Sequence, residues 1–233
     1  ILISGSLIIR NQIQFLKDKD LGFDQENLMV LEIVGETNSQ KIKVLKDELT
    51  AIPGISQTSA VSNVPGGQFN QHPLYMEDNP ELSVDASEMF IDKDVASTLS
   101  LEMVDGRMLD DVFAADSAGT AFVLNETAVR DLNVENPVGK QLYWVNNEEL
   151  VKGTVVGVVK DFHYNSLHVP IRPMILMVNE NATNYLVAKF SPNNLPEIMT
   201  QVEAKFTEVV PELDFSYRFL DSQIEELYQE EAR

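Results

Sequence analysis

Residues 151–173 of this chain read VKGTVVGVVKDFHYNSLHVPIRP. The β-branched run from Val155 to Val159 predicts a strand that is buried on both faces, because side chains of this shape pack well on a pleated surface. Gly157 interrupts the run, which indicates that another backbone or a bend comes close. Pro170 and Pro173 then stop regular structure, since proline has no amide donor. We therefore expect a central strand that ends in a fixed, exposed corner.

The corner carries Asp161, Phe162, His163 and Tyr164. Together with His168, the carboxylate of Asp161 and the imidazole of His163 suggest a metal site, but no paired-histidine helix supplies further ligands. The chain also lacks the Gly-x-Ser-x-Gly turn of a nucleophilic serine. We interpret these four residues as a candidate contact surface for a partner protein, because exposed aromatic side chains often mark interfaces. For Phe162 itself we favour packing between the two subdomains.

Composition excludes several classes of function. The 233 residues include 17 Lys and Arg against 37 Asp and Glu, a formal net charge of −20. Such a surface repels phosphate backbones, so we expect no nucleic-acid partner. The absence of cysteine removes disulfides, thiol nucleophiles and thiolate metal sites. With no phosphate-binding loop either, we expect no catalytic residue, no metal and no cofactor.

The N-terminus begins with an uncharged apolar run, ILISGSLII at residues 1–9. This run is much shorter than the ~20 residues that a membrane span needs. It continues without a break into a segment where Ile9, Ile13 and Leu16 recur at helical spacing. We interpret residues 1–22 as the outer end of a transmembrane or stalk helix, with a buried N-terminal helix as the alternative.

Strand and helix patterns alternate towards both ends of the chain. Residues 28–34 and 55–64 read as strands on either side of an amphipathic helix. Residues 174–178 and 185–190 read as two further strands, which precede a second amphipathic helix and a half-buried strand at 213–219. We interpret residues 23–92 and 171–219 as two parts of one α/β layer.

The middle of the chain has shorter elements. We interpret residues 93–170 as a second, β-rich subdomain inserted into the first, with a hairpin around Asn146-Asn147. An apolar stripe predicts a final helix over 220–233, and Ser222 with Glu225 fits a capping box at its start. Because its apolar face is narrow, we expect this helix to pack on the N-terminal helix or on the α/β layer as a stalk.

Six segments with a characteristic order and spacing span nearly the whole chain. They read KDLGFD at 19–24, NLMV at 27–30, DGR at 105–107, VLNETA at 123–128, NPVGK at 136–140 and the stretch from Gly153 to Pro173. In these segments the sequence resembles the MacB-like periplasmic core domain of FtsX-like ABC transporter permeases. None of the segments is a catalytic motif.

The resemblance implies an α+β fold in which a porter-like α/β subdomain is split by an inserted, β-rich, sabre-like subdomain, with stalk helices at both ends. It also implies a non-catalytic domain at the periplasmic face of the inner membrane, tethered by transmembrane helices. Such a domain would couple ATP hydrolysis on a separate cytoplasmic ABC ATPase subunit to periplasmic movement. A permease dimer and a periplasmic partner protein are further implied partners. The alternative function is a ligand-sensing domain of a membrane receptor.

Overall fold

The computed structural model describes residues 21–35, 38–146, 149–166 and 169–231, with side chains at the C-terminus described as far as Leu227. The helix predicted over residues 1–22 therefore lies outside the described residues, except for Leu21 and Gly22. In the described part of the chain, no helix combines the length and the apolar character that crossing a membrane requires.

The described residues form eleven strands and six helices. The strands are β1 (Leu28–Glu32), β2 (Ile55–Val61), β3 (Gln71–Met76), β4 (Asn79–Ile91), β5 (Met103–Gly106), β6 (Ala121–Asn125), β7 (Gln141–Asn146), β8 (Glu149–Val159), β9 (Met174–Val178), β10 (Tyr185–Phe190) and β11 (Tyr217–Phe219). The helices are α1 (Ser39–Thr50), α2 (Val95–Leu99), α3 (Ala114–Ser117), α4 (Glu126–Asp131), α5 (Leu195–Val209) and α6 (Leu220–Glu231).

Strands from the two ends of the chain form one layer in the order β11-β1-β10-β2. Strand β10 is antiparallel to both of its neighbours, so β1 and β2 run parallel with β10 between them. The amphipathic helices α1 and α5 pack on one face through Leu45, Leu49, Val202 and Phe206, which are fully buried. The mixed α+β class and the joining of both chain ends in one layer are therefore confirmed.

A second part of the sheet closes on itself. Strand β4 pairs with β3, and the pairing continues through β7, β8, β6 and β9 back to β4. All six strands contribute to one apolar cluster, which α4 also joins through Ala128. We call these strands the six-stranded ring. Three of its strands, β3, β4 and β9, lie outside residues 93–170, and the division of the chain at those residues remains a proposal.

The predicted close approach of another backbone at Gly157 is confirmed. A Cβ atom added to Gly157 would lie 2.1 Å from the carbonyl oxygen of Arg107 and 2.8 Å from Cε of Met103. Strand β5 and the residue after it lie directly against β8 at this point. Glycine is needed here because the Cβ atom of any other residue would overlap the main chain of Arg107.

The final helix begins directly after the last strand, as expected, but its first turn differs from the prediction. Helix α6 starts at Leu220, so Ser222 lies inside the helix and is not its N-cap. The last strand is also shorter than predicted, because only Tyr217–Phe219 pairs with β1. Burial of Leu220 fixes where the helix meets the layer, and this tertiary contact outweighs the local capping pattern.

Candidate functional site

The corner at residues 161–164 is tied to the first turn of α4. Both carboxylate oxygens of Asp161 accept hydrogen bonds from Thr127, from its N–H at 2.9 Å and from its hydroxyl at 2.7 Å. The N–H of Asp161 in turn donates to Oε2 of Glu126 at 2.9 Å. The Asp161 side chain therefore serves the packing of the fold and is not a free carboxylate.

Two residues of the proposed contact surface are buried. Phe162 and Tyr164 are each 1% exposed, so neither ring is accessible to a partner protein. Side chains alternate along extended chain, and these two face the core while Asp161 and His163 stay partly exposed. The expectation of an exposed aromatic corner is thus corrected, and a partner contact remains a proposal for Asp161 and His163 alone.

Phe162 and Tyr164 lie in the apolar cluster between the layer and the ring. Their rings meet edge to face at 5.8 Å between centroids, and Phe162 contacts Phe23 in the same way at 6.3 Å. The cluster includes Val30 of the layer and Met174 of the ring. This position agrees with the interpretation in which Phe162 packs between two subdomains.

The buried hydroxyl of Tyr164 has polar partners. It donates to Oγ of Ser87 at 3.0 Å and lies 3.3 Å from the carbonyl oxygen of Arg172. Burial raises the pKa of Tyr164, and the hydrogen bond with Ser87 offsets part of this effect. The phenol is therefore neutral at physiological pH and holds the corner against β4 and the start of β9.

Asn125, the last residue of β6, connects three elements. Its Oδ1 accepts from the N–H of Ala128 at 3.0 Å and from the N–H of Met174 at 2.8 Å. Its amide nitrogen donates to the carbonyl oxygen of Arg172 at 3.0 Å. Asparagine directly before a short helix is a signal for an N-cap, but the contacts with β9 are visible only in the fold.

The N-terminal segment lies directly on the corner. The N–H of His163 donates to the carbonyl oxygen of Leu21 at 2.7 Å. A Cβ atom on Gly22 would come within 2.6 Å of the carbonyl oxygen of Asp161. Leu21 and Phe23 are buried in the same apolar cluster as Phe162.

The C-terminal helix enters the same cluster from the other end of the chain. Leu220 and Ile224 of α6 are buried in it. Gln223 donates to the carbonyl oxygen of Pro65 at 3.2 Å, and the N–H of the neighbouring Gly66 donates to the carbonyl oxygen of Tyr164 at 2.9 Å. We call this meeting point of residues 21–23, 64–66, 161–164 and 220–224 the junction.

Solved structures place this arrangement in a known fold. The periplasmic region of MacB from Actinobacillus actinomycetemcomitans matches with a TM-score of 0.59 and 16% identity, over 85% of this chain and 91% of that one. The chain has the MacB periplasmic fold. No protein-family model and no curated protein matches the sequence. The match to the solved structure therefore confirms the resemblance at the level of the fold.

Two more structures share the MacB periplasmic fold. The extracellular domain of the noncanonic ABC-type transporter YknZ from Gram-positive bacteria matches with a TM-score of 0.57 and 14% identity, over 82% of this chain and 98% of that one. A domain of a protein assigned as a permease from Porphyromonas gingivalis matches with a TM-score of 0.57 and 14% identity, over 84% of this chain and 90% of that one.

On this fold, the junction is a region of close side-chain packing. Within the described ranges, no three His, Asp or Glu side chains gather in an arrangement that would hold a metal ion. His168, which the sequence offered as a third ligand beside Asp161 and His163, lies outside the described residues. The junction joins both ends of the chain, the layer and the ring through apolar contacts and main-chain hydrogen bonds.

Proposed function

We propose that this chain is the extracytoplasmic domain of an ABC transporter permease, located at the periplasmic face of the inner membrane. The fold supports this proposal, because it covers most of the chain and recurs in the periplasmic or extracellular parts of MacB and YknZ. The domain would be non-catalytic, and ATP would be hydrolysed by a separate cytoplasmic ABC ATPase subunit.

The observation that carries the proposal is the position of the two chain ends. Leu21 and Phe23 enter the junction from the N-terminal side, and Leu220 and Ile224 enter it from the C-terminal side. In a permease, each end would continue into a membrane helix. Since a helix is stiff along its axis, a shift of one membrane helix against the other would be delivered to the junction and would reorient the layer and the ring.

The remaining partners belong to the same proposal. A permease dimer would place two of these domains side by side, and a periplasmic partner protein would engage the outer surface. The partly exposed side chains of Asp161 and His163 are a candidate part of that contact surface, since they lie beside the N-terminal segment. The stalk formed by α6 with the helix proposed for residues 1–22 also remains a proposal.

The test uses the full-length membrane protein in lipid nanodiscs. Its ATPase should co-purify with it, and spin labels at Glu226 and Glu81 report the position of α6 against the ring. Both residues are exposed. We expect the distance between the labels to change by about 2 Å or more when the ATPase is trapped with nucleotide, the scale of helix shifts in switching proteins. A matched pair at Ser56 and Glu212, both on the layer side of the molecule, should keep its distance.

The receptor alternative predicts a different result. A ligand-sensing domain would have no associated ATPase, and its label distances would not respond to nucleotide. Failure to recover any ATPase with the full-length protein, together with unchanged distances, would reject the transporter proposal. A change in both label pairs would instead reject the junction as the moving part.

A further inference from the structure

A cavity of about 760 Å³ lies between α1, the first half of β2 and the segment that leads into α2. Its size falls within the ~300–1,000 Å³ that is typical of ligand pockets. Neither Asp161 nor His163 lines it. The cavity is therefore separate from the corner that the sequence singled out.

One edge of β2 is open beside this cavity. The N–H of Ala60 donates to Oδ2 of Asp92 at 2.8 Å, and the N–H of Asp92 donates to the carbonyl oxygen of Ala60 at 3.1 Å. Ala60 thus directs its main-chain groups away from β10, and Thr58, two residues earlier, does the same. Strand β4 pairs with β2 only at Val61, so within the described chain no strand covers the edge at Thr58.

The cavity follows this open edge. Ser56, Gln57 and Thr58 all line it, although successive side chains of a strand point to opposite faces. Thr58 lies on the α1 side, where its hydroxyl is 2.9 Å from that of Thr50. Oε1 of Gln57 is buried and has no hydrogen-bond partner among the described residues. A buried amide oxygen without a partner is unfavourable, so an occupant that donates a hydrogen bond would fit here.

The charges around the cavity favour a cation. Five carboxylates and three lysines line it: Asp47, Asp92, Asp94, Asp111, Glu180, Lys43, Lys46 and Lys93. The lysines are already engaged, Lys43 by Glu180, Lys46 by Asp92 and Asp94, and Lys93 by Asp94. Asp47 and Asp111 have no ion pair within the described part of the chain. Asp47 and Asp111 therefore provide hydrogen-bond acceptors and negative charge that no lysine of the cavity neutralises.

We propose that this cavity binds an extended peptide segment of a partner, which adds to the open edge of β2 at Ser56–Thr58 and pairs a basic side chain with Asp47 and Asp111. At this edge Thr58 offers one N–H donor and one C=O acceptor, a pair that another main chain matches and a small amine does not. The proposal does not depend on the transport function, because it concerns the isolated chain and its peptide ligand.

The test is an NMR titration of the ¹⁵N-labelled chain with a capped hexapeptide of alternating valine and lysine. We expect saturable amide shifts at Ser56–Ala60. The double variant Asp47→Asn, Asp111→Asn should bind about fivefold more weakly or worse, the effect of one or two exposed ion pairs. The matched control Glu81→Gln, Asp85→Asn removes the same charge from exposed positions of β4 that do not line the cavity, and it should bind like the wild type.

Two further ligands separate a peptide site from a cation site. The same hexapeptide with alternate main-chain nitrogens methylated should bind at least about tenfold more weakly, because its strand donors are gone. Lysine amide alone should cause no saturable shift. Equal binding of lysine amide or of the methylated peptide would overturn the proposal in favour of a small-cation site. Absence of any shift at about 1 mM hexapeptide would overturn it altogether.

Discussion

At Gly157 the neighbouring main chain lies so close that no larger residue fits. A methyl group there would meet the carbonyl oxygen of Arg107 at 2.1 Å, and this atom cannot move without shifting β5. We expect Gly157→Ala to lower the free energy of unfolding by about 1–3 kcal/mol, the range for overpacked sites. Urea denaturation followed by circular dichroism measures this change.

The control for Gly157 is on the same strand. Leu150 is 53% exposed, so Leu150→Ala should change the free energy of unfolding by less than about 0.5 kcal/mol. If the two variants were equally stable, the close approach of β5 to β8 would not exist in solution.

Tyr164 makes stability depend on pH in the alkaline range. Burial raises its pKa in the native state, whereas the unfolded chain has the ordinary tyrosine value of about 10. The unfolded chain therefore loses its proton first as pH rises. The stabilisation from the neutral, buried phenol is fully present below pH ~10 and is lost as pH rises through the native pKa.

We expect Tyr164→Phe to cost about 0.5–1.5 kcal/mol at neutral pH, through the lost hydrogen bond to Ser87. Above pH ~10 the difference from the wild type should shrink, because phenylalanine does not titrate. Urea unfolding at a series of pH values measures both effects. Tyr217→Phe, at a site 45% exposed, is the control, and an identical pH profile for the two variants would contradict the assignment.

Helix α6 is the element through which the C-terminal end of the chain reaches the junction. Its described contacts depend on Leu220 and Ile224, which are buried, whereas Glu226 is exposed. We expect Ile224→Ser to raise amide hydrogen exchange in residues 220–227 by at least about tenfold, because loss of a buried aliphatic side chain costs more than ~1.4 kcal/mol. Exchange in the ring strands β6 and β8 should remain slower than in α6, because these strands open only with global unfolding.

The matched variant Glu226→Ser changes the same helix on its exposed side. It should leave hydrogen exchange in α6 within about twofold of the wild type, as expected for a surface substitution. If α6 and β8 exchanged at the same rate in Ile224→Ser, the helix would not be a separable element, and a stalk that moves against the ring would be ruled out.

The molecule as a whole shares one central cluster. Residues of the layer, of the ring and of both chain ends pack in it, among them Val187, Leu176, Phe23 and Leu220. We therefore expect the chain to unfold in one cooperative transition by heat, with the calorimetric enthalpy equal to the van't Hoff enthalpy. Two resolved transitions would show that the layer and the ring are independent units.

Replacing residues 93–170 by a short Gly/Ser linker tests the proposed inserted subdomain. The replacement removes β6, β7 and β8, which pair with β9 and β3. Buried residues such as Leu74 and Ile175 would then face water. We expect loss of cooperative unfolding, measured by near-ultraviolet circular dichroism. Cooperative unfolding near the wild-type temperature would instead show that the rest of the chain folds without residues 93–170, as the proposed division requires.

Local periodicity in the sequence determined much of the fold. The strand from Val155 to Val159, the close approach at Gly157, the amphipathic helices over 39–50 and 195–209, and the strands at 174–178 and 185–190 all follow from spacing within a short window. These features depend on which side chains a segment presents, and that information is contained in the segment itself.

The tertiary structure decided what covers each segment. Alternation shows that Phe162 and Tyr164 share a face, but only the packing of Leu21, Phe23 and α6 makes that face interior. In the same way, β4 closes the ring by pairing Ser87 with Met174, and β2 keeps an open edge because β4 ends at Ile91, opposite Val61. Burial and pairing are set by partners that are distant in sequence, so no local pattern contains them.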